Sequence, residues 1–160
     1  MRIVSANGIV LSVVAGVLIG DATVRTLLEG LSWAVEKGAD VINMSLGFSY
    51  YEPLFAEIFA ILIDQYGILP VVAIGNENHG NSSSPGNAYN AFSYMDGTSM
   101  ATPHVAGCAA LLMAARPDAP VAEVVRALKE TATHPGGAAL RPDNRWGFGL
   151  VRPAEALAAL

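Results

Sequence analysis

Apolar residues along the chain alternate between two spacings. Over residues 9–19 they are nearly continuous and rich in β-branched side chains (Ile9, Val10, Val13, Val14, Val17, Ile19), which predicts a strand buried on both faces. Residues 23–37, TVRTLLEGLSWAVEK, return Val24, Leu27, Leu28, Leu31, Ala34 and Val35 at intervals of three, four and seven, which predicts an amphipathic helix stopped by Gly38. The run DVINMSLG predicts a second buried strand. Residues 52–66 repeat Leu54, Phe55, Ile58, Phe59, Leu62 and Ile63 at helical spacing, and LPVVAIG predicts a third strand. Residues 76–97 then lose all periodicity and fill with Asn, Ser, Gly and Pro, the composition of a loop. Two helices follow, over 98–115 and 121–131, then a Gly- and Pro-rich turn and a short helix over 153–160.

Strand, helix, strand, helix, strand in this order, with strands apolar throughout, predicts an α/β fold. Right-handed crossovers would lay a parallel central sheet between helices on both faces, a three-layer arrangement within one domain spanning residues 1–160. Ligands of open α/β sheets bind beyond the carboxyl ends of the strands. Here those ends lead into Ser45, Leu46 and Gly47, and into Gly75 and Asn76.

Composition changes this picture in one respect. Hydrophobic residues make up 52% of the 160 residues and charged ones 14%, with a mean hydropathy of +0.41, so the chain has the balance of an interior and part of its surface calls for a cover. A net charge of −5, with the basic residues scattered singly, gives no stripe for nucleic acid or an anionic membrane. Cys108 is the sole cysteine, has no internal disulfide partner, and sits among Gly107, Ala109 and Ala110 as a small hydrophobe. The apolar run near the start is too short to span a bilayer. It has the look of a signal-peptide core without a following small-x-small cleavage site, and its β-branched content favours a strand, so it assigns no compartment.

Candidate chemistry concentrates in MDGTSMATPHVAG, residues 95–107. Ser99 falls near a helix start, where unpaired N–H groups and the positive dipole end stabilise an oxygen that becomes negative; it can be an N-cap, a nucleophile, or both. Gly97 permits close backbone approach, and Pro103 deprives the Ser99 carbonyl of its intrahelical donor. His104 lies about 140° around the helix from Ser99 and about 7.5 Å along it, too far to take the serine proton, and reads as a packing residue.

These residues are similar to the nucleophile motif of the subtilisin-like serine peptidases, the subtilases. Three further segments resemble the family in the family's order: WAVEKGADVINMSLG, PVVAIGNENHG and WGFGLVRPAEAL. The resemblance implies that Ser99 is the nucleophile and that Asn76, with the Ser99 N–H, holds the tetrahedral oxyanion. It implies that Ser45, Leu46 and Gly47 form one wall of the pocket for the residue before the scissile bond, and Ala73, Ile74 and Gly75 the facing wall. A polypeptide substrate and an exported protein follow from the same resemblance.

Two departures qualify it. The family's triad Asp and His precede the matching segments, and neither motif occurs in this chain; the interval between Asn76 and Ser99 is also shorter than the family's, as though an internal piece were absent. His79 and His134 read as solvated loop residues, and Asp21, Asp40 and Asp96 as carboxylates with no histidine to orient. The expectation is therefore a truncated subtilase with little activity alone. The alternatives are an inactive peptide-binding module, or a half-enzyme to which a partner chain or a missing N-terminal portion supplies Asp and His. No cofactor is expected: GNENHG lacks the Lys and Ser/Thr of a phosphate loop, and no zinc or calcium ligand set is found.

Overall fold

A computed structural model describes residues 2–4, 10–12, 23–46, 52–75 and 97–160, the first two segments as backbone only. Strands β1 (Arg2–Val4) and β2 (Val10–Ser12) pair antiparallel. Helix α1 (Val24–Glu36) leads into β3 (Val41–Met44), and α2 (Leu54–Asp64) into β4 (Leu69–Val72). Helices α3 (Thr98–Ala115), α4 (Val121–Thr131) and α5 (Pro153–Ala158) complete the order.

Local chemistry sets the helix ends. Thr23 caps α1 in a reciprocal pair with Thr26: the Thr26 N–H donates to Thr23 Oγ1 at 3.2 Å and the Thr23 N–H donates to Thr26 Oγ1 at 3.0 Å. Gly38 turns the chain out of α1 at φ 65°, a conformation that glycine adopts without steric cost.

β3 and β4 run parallel in the register Val41 to Leu69 through Met44 to Val72. Side chains alternate across this pair, and each face has its own core. Leu27, Leu31, Phe55 and Leu62 of α1 and α2 meet Met44 on one face, with Ile42, Leu46 and Val72 packed against them. Ala109, Leu112, Val121, Val124, Ala127, Leu128 and Ala156 of α3, α4 and α5 meet Leu69 on the other, with Val41, Val71 and Cys108 alongside. The described residues thus form the three-layer α/β arrangement with a parallel sheet that the pattern predicts.

One strand differs from the expectation. Val10–Ser12 is a strand, but it pairs with Arg2–Val4 in a hairpin and does not join the parallel sheet; residues 9 and 13–19 of that run lie outside the described residues. A short connection between neighbouring segments favours antiparallel pairing, whereas a parallel pair needs a crossover of a dozen residues or more.

Candidate functional site

The odd-numbered positions of β3 face α3, and this pleat brings the candidate residues together. The paired register ends at Met44 and Val72, the Met44 carbonyl still accepts the Ala73 N–H at 3.1 Å, and Ser45 and Gly75 meet the first turn of α3. Thr98 Oγ1 donates to the Gly75 carbonyl at 3.1 Å, and Ser45 Oγ donates to the Ser99 carbonyl at 2.8 Å. Ser99 Oγ lies 3.4 Å from the Ser45 carbonyl, at the long limit of a hydrogen bond. The amino end of α3 is thereby fixed over the carboxyl ends of both strands.

The helix does not begin on Ser99. Gly97 is the N-cap, at φ 135° and ψ 154°, and its carbonyl accepts from Met100 and Ala101 at 3.0 and 3.2 Å. Ser99 is the second helical residue, which leaves its hydroxyl out of the capping role and its N–H pointing beyond the first intrahelical bonds. Thr102 Oγ1 donates to the Thr98 carbonyl at 2.6 Å, tightening the same turn.

Of the residues named from the sequence, Ser45 bonds Ser99 directly, and Gly75 bonds the preceding Thr98. Leu46 packs on the α1 and α2 side, so it faces the site with backbone only. Ala73 is half-buried, and Ile74 is 90% exposed at the end of β4. Asn76 and Gly47 lie outside the described residues, as do His79, Asp21 and Asp96.

Among the described residues no base reaches Ser99. His104 is exposed and does not pack as expected; its ring Nδ1 donates to the Met100 carbonyl at 2.6 Å, one turn back on its own helix. His134 is buried, not a solvated loop residue: its Nδ1 accepts the Gly136 N–H at 3.1 Å, and its Nε2 lies 3.1 Å from Asp143 Oδ2, off the line of a directional hydrogen bond. That ring is enclosed by its own segment. Asp40 precedes β3 and so sits at the opposite end of the sheet from Ser45; burial raises its pKa.

Two participants escape sequence reading. Asn43 Nδ2 donates to Ser45 Oγ at 3.1 Å, and Thr98 ties α3 to β4. Asn43 had a signal, a polar residue inside an apolar strand two positions from Ser45, on the same side of the pleat. Among the described residues no group of three or more His, Cys, Asp or Glu gathers for a metal, and no helix is long and apolar enough to cross a membrane.

The profile of the subtilase family matches residues 8–93 and 79–149. Alkaline elastase YaB of Bacillus sp. (strain YaB) is 30% identical over 179 residues, a match covering 86% of this chain and 45% of the elastase. Subtilisin Savinase of Lederbergia lenta is 30% identical over 176 residues, covering 86% of this chain and 63% of that protein. Fervidolysin from Fervidobacterium pennivorans shares the fold with a TM-score of 0.64 at 24% identity, over 84% of this chain and 29% of its own. MycP1 with its N-terminal propeptide removed does so with a TM-score of 0.62 at 20% identity, over 83% of this chain and 66% of its own. The chain spans about half the length of the curated relatives it matches.

Proposed function

Because the chain belongs to the subtilase family, we propose that it carries the nucleophile half of a serine-type endopeptidase centre, with Ser99 as the attacking residue and Asn76 as the side-chain donor to the oxyanion. The observation that carries this reading is the placement of Ser99 one residue inside the amino end of α3, tied to the carboxyl ends of β3 and β4. In the reaction, Ser99 Oγ adds to the carbonyl carbon of the scissile peptide bond as its proton passes to a base. The Ser99 N–H and the Asn76 amide hold the oxygen that becomes negative, and collapse expels the amine, which takes the proton; water then releases the acyl group from Ser99. Ser45, Leu46 and Gly47 on one side, and Ala73, Ile74 and Gly75 on the other, flank the side chain preceding the scissile bond. A polypeptide is the substrate.

The base is the weak link. With His104 bonded to Met100 and His134 enclosed beside Asp143, no described residue serves as the proton acceptor, and on this reading the acceptor and its carboxylate come from outside the described residues, from a partner chain or a further segment, or the centre works without them. Serine peptidases stripped of a triad member keep about 10³ to 10⁴-fold of catalysis over water through the oxyanion site and binding, which sets the ceiling for residues 1–160 alone. The enclosed histidine equally favours a second reading, an inactive module that holds extended peptides along the strand ends.

Labelling with a fluorophosphonate separates these readings. Slow, saturable modification of Ser99, absent in Ser99→Ala and accelerated by an added subtilase segment bearing Asp and His, is the expected outcome. Affinity for a peptide boronate with no labelling under either condition would leave only the binding module.

A further inference from the structure

We propose that the Ser45 hydroxyl is a positioning group for Ser99, built to satisfy the one helix carbonyl that Pro103 leaves without a donor; this rests on the reading of Ser99 as the nucleophile. In an uninterrupted helix the Ser99 carbonyl would accept the N–H of residue 103. Residue 103 is proline, inside α3, with no N–H to give and a ring that crowds that same carbonyl outward. The Ser45 hydroxyl fills the place from another element, donating to the Ser99 carbonyl at 2.8 Å.

The hydroxyl is itself aimed. Serine has a single O–H to donate, and Ser45 Oγ accepts the Asn43 amide at 3.1 Å, which leaves its proton for Ser99. Pleat alternation puts Asn43 and Ser45 on the same face of β3, toward α3. The Ser99 hydroxyl lies 3.4 Å from the Ser45 carbonyl, so the two serines meet at two points. An ordinary helical bond would have fixed the Ser99 backbone to its own helix. The proline exchanges that bond for one to the sheet, and so couples the nucleophile's backbone to the strand end beside which a substrate would lie.

The test is a double-mutant cycle between residues 45 and 103, read both as fluorophosphonate labelling rate and as thermal midpoint in the whole chain. Ser45→Ala is expected to slow labelling by about tenfold, comparable to the loss of one positioned hydrogen bond, and Ser45→Thr, which keeps the hydroxyl, to stay within about twofold. Pro103→Ala returns an N–H to the Ser99 carbonyl. In that background Ser45→Ala is expected to change the rate by no more than about twofold. Asn43→Ala, which leaves residue 45 intact, is expected to slow labelling by about threefold and serves if Ser45→Ala does not fold. Equal slowing by Ser45→Ala in both backgrounds, or none in either while the wild-type chain labels, overturns the positioning role and leaves the peptidase reading standing. A wild-type chain that labels no faster than Ser99→Ala overturns both.

Discussion

Asp143 shows how a single side chain holds a segment that has little regular structure. Its Oδ1 accepts the Trp146 N–H at 2.5 Å and the Arg145 N–H at 2.9 Å, while its Oδ2 faces the buried His134 ring. The Trp146 N–H is the main cause of a pKa below the ordinary carboxylate value of 3.8; partial burial opposes it, and the Arg145 N–H and His134 assist. A folded-state pKa below the unfolded one gives stability that is complete above the ordinary carboxylate range and lost as pH falls through the folded value. Thermal midpoints of the chain should therefore drop on acidification below about pH 4, and Asp143→Asn should flatten that dependence. An unchanged slope in the variant would show that the carboxylate does not act this way. The sequence reading places His134 in solvent because THPGG carries only loop signals. What buries the ring is the return of residues 143–150 onto Thr133, where Thr133 and Leu150 exchange backbone hydrogen bonds at 2.9 Å.

At the scale of elements, α3 is the part on which the site depends, and it is apolar around most of its surface. Leu112 is 2% exposed in the core with Val124 and Ala127, whereas its neighbour Leu111 is 65% exposed. Leu112→Ala should cost about 2 to 5 kcal/mol in chemical denaturation and Leu111→Ala less than about 0.5 kcal/mol. Equal costs would mean that α3 is covered on both sides. The bounds of α3 and α4 were legible in sequence because glycine, proline and helical spacing agree at their ends: Thr98–Ala115 and Val121–Thr131 are both the expected and the observed spans. The strands were legible as places but not as lengths. The LPVVAIG run is apolar to Ile74, yet the paired strand ends at Val72, and beyond it the Gly75 carbonyl accepts from Thr98 at the start of α3. The β1 and β2 hairpin was illegible, since a continuous apolar run does not specify its partner. Of the site, Ser99 and its strand-end neighbours were visible through motif and spacing. The link from Asn43 through Ser45 to Ser99 joins residues 54 positions apart and needed the fold.

For the molecule as a whole, composition and structure point the same way. Trp33, Trp146, Leu111 and Leu150 are among the large apolar side chains left exposed, in keeping with a composition that has the balance of an interior. These features accord with the proposal that a further segment completes the centre, in trans or in the same polypeptide. Ser99 is fixed over the strand ends and Asn76 follows Gly75 in sequence, so the proposed centre requires these two residues to converge on one oxygen. A crystal structure of the chain phosphonylated at Ser99 tests it most directly. The account predicts the phosphonyl oxygen within hydrogen-bonding distance of both the Ser99 N–H and the Asn76 side-chain amide; an Asn76 amide turned away, or lying across the sheet from that oxygen, would contradict it.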